Sequence, residues 1–127
     1  MTRFLLVCAG GALGTGARYL LAGMVLRGCG TLFPWGTWAV NILGSFLLSL
    51  ILQLSLNARL LSPDLRIALT TGLLGGFTTY STFNYETLGY LEAGNYLWAV
   101  VNVAVTLFAC LAASVLGLWL ARWIAGI

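Results

Sequence analysis

Residues 75 to 86 read Gly-Gly-Phe-Thr-Thr-Tyr-Ser-Thr-Phe-Asn-Tyr-Glu, inside an apolar segment long enough to cross a bilayer. Hydroxyls, a glycine pair, aromatic rings and a carboxylate suit a lipid-facing helix poorly. A polar group left unsatisfied in hydrocarbon costs roughly several kcal/mol. The segment must therefore face protein, water or an ion. It reads as part of a pathway rather than as an anchor.

Working outward, Gly75 and Gly76 fall in the middle of that segment and are followed by Thr78, Thr79, Ser81 and Thr82. Glycine pairs and hydroxyls mark places where membrane helices break and expose carbonyl groups. A discontinuous helix at the midplane is a recurrent way to build an ion site from backbone dipoles. The sequence predicts such a break here.

The composition of the whole chain agrees with a membrane setting. Of 127 residues, 61% are hydrophobic and 7% charged, against about 25% charged in soluble domains. Four segments are long enough to span, at about residues 4–26, 36–56, 66–91 and 95–125. The connections are short, and Pro34 and Pro63 fall in them. Ser62-Pro63-Asp64 is a start signal for the third helix. The expected fold is an all-α integral membrane protein of four transmembrane helices, a single domain over residues 1–127. The first segment is expected to be a retained helix, because Arg18 interrupts it and no persuasive cleavage site ends it.

Several function classes lack raw material. There is no histidine, and the acidic residues are Asp64, Glu86 and Glu92. Cys8, Cys29 and Cys110 match no metal spacing and no disulfide framework. A catalytic triad or a transition-metal site has almost nothing to be built from, so an enzyme is not expected. The six arginines are scattered singly, which argues against nucleic acid. Arg3, Arg27, Arg59, Arg66 and Arg122 read as interfacial anchors flanking the spans.

Two helices carry polar stripes. In the second span Thr37, Asn41, Ser45, Ser49 and Gln53 each lie four residues from the last. In the fourth, Asn102, Thr106, Cys110 and Ser114 do the same. Residues four apart share a helix face. One reading is helix–helix hydrogen bonding, worth about 0.6 kcal/mol per contact on average. The other is two polar tracks lining a shared path. Asn41 and Asn102 favour the second, because an amide has more groups to satisfy. Hydroxyl and amide donors without a carboxylate on these helices suit an anion.

Other residues also admit two readings. Arg18 either snorkels to the interface or adds positive potential to a vestibule. Glu86, within the third span, needs a partner or water and is a functional candidate by default. Tyr80 and Phe83 share a face; they either pack the core or hold a small anion against their electropositive ring edges. The Gly-x-x-x-Gly pairs Gly10/Gly14 and Gly72/Gly76 let helix backbones approach closely.

Taken together, the chain resembles the Fluc/CrcB family of bacterial fluoride channels over nearly its whole length. The resemblance rests on Gly10-Gly11-Ala12-Leu13-Gly14 with Arg18, on Gly36-Thr37 through Val40-Asn41, and above all on Gly75-Gly76-Phe77-Thr78-Thr79-Tyr80-Ser81-Thr82-Phe83. It implies an antiparallel, dual-topology homodimer in the bacterial inner membrane with two fluoride pores at the subunit interface. Asn41 would donate to fluoride, Tyr80 and Phe83 would meet it edge-on, and Ser81, Thr82 and Glu86 would flank the rings. Thr106 and Cys110 would continue the track on the fourth helix, with Asn102 on the same stripe. A structural sodium ion at the dimer axis would be held by the carbonyls of Gly75 and Thr78. Two positions depart from the family pattern. Tyr80 stands where phenylalanine is usual, adding a donor and bulk, and Cys110 stands where serine is common.

The charges pull against dual topology. Both termini and the second loop share a side that holds Arg3, Arg59, Arg66 and Arg122, against Arg27 opposite. The positive-inside rule then places the termini in the cytoplasm. A proton-coupled small multidrug transporter also has four helices but depends on a glutamate in its first span, which is missing here. A non-transporting assembly subunit would explain the glycine pairs but neither the stripes nor the break. The expected function is passive fluoride export that relieves fluoride toxicity, with no ATP site.

Overall fold

The computed structural model describes residues 1–57 and 61–126. Arg59, expected to anchor a span, lies outside the described residues. The helices are α1 (Thr2–Cys29), α2 (Trp35–Asn57), α3 (Pro63–Ile67), α4 (Gly75–Phe77), α5 (Tyr80–Glu92) and α6 (Tyr96–Ala125), with a π-helical stretch at Ala68–Leu74 joining α3 to α4. No strand occurs among the described residues.

Three helices, α1, α2 and α6, are long and apolar enough to cross a membrane. The segment between α2 and α6 is divided. Its two parts, 63–77 and 80–92, are each roughly 20 Å long, against a hydrocarbon core of ~30 Å. Laid end to end they run the full depth of α1. Arg3 pairs with Asp64 at the start, Arg18 meets Thr78 further on, and Tyr90 reaches Leu32, beyond the end of α1. α1 and this divided segment, the third pass of the expected fold, run in one direction. α2 and α6 run together in the other, since Trp38 meets Asn102 and Ser45 meets Ser114.

Glycine sets the spacing between passes. A Cβ on Gly10 would lie 2.6 Å from the Ala68 carbonyl oxygen, and one on Gly76 would lie 2.5 Å from the Gly11 carbonyl oxygen. At Gly14 it would overlap the Leu73 carbonyl outright. The two Gly-x-x-x-Gly pairs thus face one another, backbone against backbone. Gly117 on α6 does the same against the Phe46 carbonyl of α2, and Gly44 makes room for the Thr78 methyl.

The fold is inverted relative to a soluble bundle. Its buried side chains are few and mostly small, with Val40, Leu74, Phe77 and Phe83 the larger ones. Leucines, valines and aromatic residues of α1, α5 and α6 point outward, as lipid-facing positions require. Local signals act as the sequence suggests. Ser62 caps α3, its hydroxyl accepting from the Leu65 N–H at 3.3 Å, with Pro63 in the first turn. Gly30 (φ 84°) and Gly94 (φ 73°) turn the chain between passes, where other residues would be strained. At the same end Phe33 packs edge-on against Trp35 and Trp98, with centroids 5.6 and 4.6 Å apart. That cluster suits a membrane interface.

Candidate site at the interruption of the third pass

Between Phe77 and Tyr80 the chain leaves helical geometry. Thr78 (φ −81°, ψ 159°) and Thr79 (φ −146°, ψ 103°) are extended. Two residues so placed expose backbone groups that lipid cannot satisfy, and Asn41 on α2 supplies the missing partner. Its Oδ1 accepts from the Thr79 N–H at 2.7 Å, and its Nδ2 donates to the Thr79 carbonyl at 3.1 Å. Asn41 and Thr79 are both buried, so the amide acts as a neighbouring strand would. Thr79 then starts α5. Its hydroxyl accepts from the Thr82 N–H at 3.2 Å and donates to the Thr82 hydroxyl at 2.8 Å, with Ser81 Oγ 3.4 Å away.

The interruption also releases carbonyls. Had the helix continued, the Thr79 N–H would have closed on the Gly75 carbonyl; instead it donates to Asn41. The Gly76 carbonyl accepts from the Thr15 hydroxyl at 3.4 Å. The Thr78 carbonyl accepts from Arg18 Nη1 at 3.1 Å. Arg18 is therefore turned inward against the broken backbone and is not extended toward the interface.

Around this point several of the sequence-predicted residues gather. Tyr80 and Phe83 stand with ring centroids 5.5 Å apart, tilted by 48°. They are not equivalent: Phe83 is 8% exposed and Tyr80 74%. A cavity of about 230 Å³ opens beside them, bounded by Asn41, Ser45, Thr70, Gly75, Thr78 and Tyr80. Ser81 and Thr82 are exposed on the first turn of α5.

Glu86 and Asn102 lie further along, toward the Gly30 turn. The Thr37 hydroxyl donates to Glu86 Oε1 at 2.6 Å, while Oε2 is shielded and has no partner among the described residues. A cleft of about 500 Å³ reaches Glu86 from Thr31, Phe33, Tyr90 and Asn95. Asn102 is fully buried, with bonds to Trp38 and Thr87. Thr106 and Cys110 sit on α6 between Asn102 and Ser114, which are bonded to α2 at Trp38 and Ser45. They are thus level with Asn41. The Thr106 hydroxyl is shielded with no partner among the described residues, and Cys110 is half-buried. Among the described residues no three metal-ligating side chains cluster.

Sequence reasoning did not single out Trp38, Thr87 or Thr15. Trp38 counts as apolar in a stripe analysis, yet its N–H is a donor that must find an acceptor when buried. Thr87, one turn beyond Phe83, carried the available signal, since mid-helix threonines bond the carbonyl four residues back.

Three helices of membrane length and apolar composition, with polar groups gathered inside, define a multi-pass α-helical membrane protein. The family described as CrcB-like protein, Camphor Resistance (CrcB) matches residues 5–118. A protein of Anaeromyxobacter dehalogenans named fluoride-specific ion channel is 52% identical over 99% of this chain and 100% of its own. Proteins with that name from Geobacter sulfurreducens and Sorangium cellulosum are each 48% identical, over 96% of this chain and 98% and 96% of theirs. The chain belongs to the CrcB family.

Proposed function

We propose that this chain is a fluoride-selective channel that exports fluoride passively across the bacterial inner membrane and so lowers its toxicity. The observation that carries the reading is the match, along nearly the whole chain, to relatives named as fluoride-specific channels. The geometry supplies a mechanism. Fluoride is small and strongly hydrated, so a path must replace its water with close donors. Asn41 spends one N–H on the Thr79 carbonyl, and an amide nitrogen carries two. The second is free to donate to the ion. The Ser81, Thr82, Thr106 and Cys110 side chains are further donors, and the edges of Tyr80 and Phe83 offer diffuse positive charge. Arg18 biases the local potential toward anions. An interior-negative membrane favours anion exit by ~2.3 kcal/mol per 100 mV.

In this reading residues 1–127 form one domain, and two copies pair in antiparallel orientation. The third pass is broken at mid-membrane. The partly exposed third pass and the outward Tyr80 support pairing. A sodium ion between the copies fits the Gly75 carbonyl, which the interruption frees from the helical ladder. The Thr78 carbonyl would be its second ligand from each chain, shared with Arg18. When bound, sodium would supply positive charge and a cross-link between subunits. Fluoride is the transported ion, and ATP has no part.

The test is efflux from proteoliposomes, followed with a fluoride electrode in the presence of valinomycin, beside chloride-loaded vesicles. Rapid fluoride release with negligible chloride release is the expected result. Among the described residues the Tyr80 hydroxyl has no hydrogen-bond partner, so Tyr80→Phe should leave folding unchanged. If the native chain is silent and Tyr80→Phe conducts, the phenol blocks an otherwise sound path. If neither conducts, the channel reading is wrong.

A further inference from the structure

We infer that Asn102 is a positioning residue, which fixes the rotation of α5 and through it the placement of Phe83, rather than a group that touches the ion. The inference rests on the channel reading only for its transport consequence. Its geometric part stands alone.

The directions of its hydrogen bonds are fully determined. The Trp38 indole N–H can only donate, and it donates to Asn102 Oδ1 at 2.7 Å. Asn102 Nδ2 is thereby turned toward Thr87, 2.9 Å from its hydroxyl oxygen. The single Thr87 proton goes to the Phe83 carbonyl at 2.8 Å. A relay thus runs from α2 through α6 into the turn of α5 that begins at Phe83. Asn102 is 0% exposed, so neither water nor a passing ion reaches it in this arrangement. Apolar packing gives α5 little help, because Phe83 is its one buried side chain among the described residues. Its packing partner is chiefly α6. Within the subunit its rotation therefore depends on directional bonds. Two such bonds act at adjacent residues, Thr37–Glu86 and Asn102–Thr87, and the second joins the relay that ends at Phe83.

The experiment pairs Thr87→Val with Asn102→Leu in reconstituted full-length protein. Thr87→Val keeps shape and removes the hydroxyl; Asn102→Leu removes the amide. Two readouts are taken: hydrogen exchange over residues 83–90, and fluoride flux per active vesicle rather than total flux. A purely structural role lowers the number of active vesicles and leaves the per-channel rate alone. The expected result is faster exchange over 83–90 in both variants and a per-channel rate reduced about tenfold or more, the scale of one buried bond lost. The double variant should be no slower than the worse single one, since both cut one relay. Unchanged exchange would overturn the inference, as would per-channel flux that holds at the native rate. If neither the native protein nor Tyr80→Phe carries fluoride, the channel reading fails while the exchange result still decides the clamp.

Discussion

The two halves of the third pass are held by opposite means. From Pro63 to Phe77 the chain lies backbone to backbone against α1, with Gly10, Gly14, Gly72 and Gly76 removing every Cβ that would intervene. From Tyr80 to Glu92 it hangs on side-chain hydrogen bonds, Thr37 to Glu86 and Asn102 to Thr87, with one buried ring. A glycine seam tolerates almost no displacement, because its atoms are already at contact and cores resist overpacking. A hydrogen-bonded helix has a defined orientation yet can be released by removing one atom. The rigid half carries the carbonyls of Gly75 and Gly76, and the adjustable half carries Tyr80 and Phe83. The extended Thr78–Thr79 pair is where the two regimes meet.

The largest effect should come from breaking the seam. Gly14→Ala places a methyl on the Leu73 carbonyl and 3.0 Å from the Phe77 nitrogen, neither of which can step aside alone. Overpacking costs typically about 1–3 kcal/mol and more where backbone must move. Gly16→Ala, two residues on, meets nothing within 4 Å and should gain up to about 1 kcal/mol of helix propensity. Thermal unfolding in detergent, followed by tryptophan fluorescence, should place Gly14→Ala well below the native protein and Gly16→Ala at or above it. Equal midpoints for the two variants would mean that the seam has no special rigidity.

The joint itself comes next. Asn41→Ala strands the Thr79 N–H and carbonyl in a buried place, at about 1–3 kcal/mol for each group left unsatisfied. The chain has an escape that limits the loss. The Thr79 N–H can return to the Gly75 carbonyl and close the missing helical turn. That would withdraw the carbonyl proposed for sodium and swing Tyr80 away. Fluoride flux should therefore fall by more than about tenfold while the protein stays folded, 1.4 kcal/mol being a factor of ten. Normal flux from a well-folded Asn41→Ala protein would show that the joint does not depend on the amide.

How much of this was legible in advance follows the same division. The apolar spans, the Ser62 cap and the presence of two Gly-x-x-x-Gly pairs depend on local chemistry or on one repeated spacing, and the sequence displays both. The relations between helices are a different matter. That Asn102 is enclosed by Trp38 and Thr87 depends on the relative rotation of three helices, which no spacing within one helix encodes. The π-helical stretch at Ala68–Leu74 is equally silent, because nothing in Ala-Leu-Thr-Thr-Gly-Leu-Leu marks a wider turn. Gly10 and Gly14 of α1 lie against this stretch, at Ala68 and Leu73. Arg18 shows the limit most clearly. Its sequence position permitted snorkelling or a vestibule, and only the exposed Thr78 carbonyl, produced by a break elsewhere, turns it inward.

The smallest effect belongs to the outer end of the seam, where Arg3 Nε meets Asp64 Oδ1 at 2.5 Å. Both side chains are largely open to solvent, at 64% and 43%. Exposed pairs contribute about 0–1 kcal/mol, and salt screens them. If the glycine contacts set the register, this pair only decorates it. Asp64→Asn should then shift the unfolding midpoint slightly, with the difference vanishing at high salt, and leave fluoride flux unchanged. Asp64 also sits in the first turn of α3, where a carboxylate favours the helix N-terminus, so Arg3→Gln should cost less than Asp64→Asn. A large loss from either change would reverse the comparison. It would mean that the first half of the third pass is hung from its charged end, and that the glycines merely fill the space the charges leave.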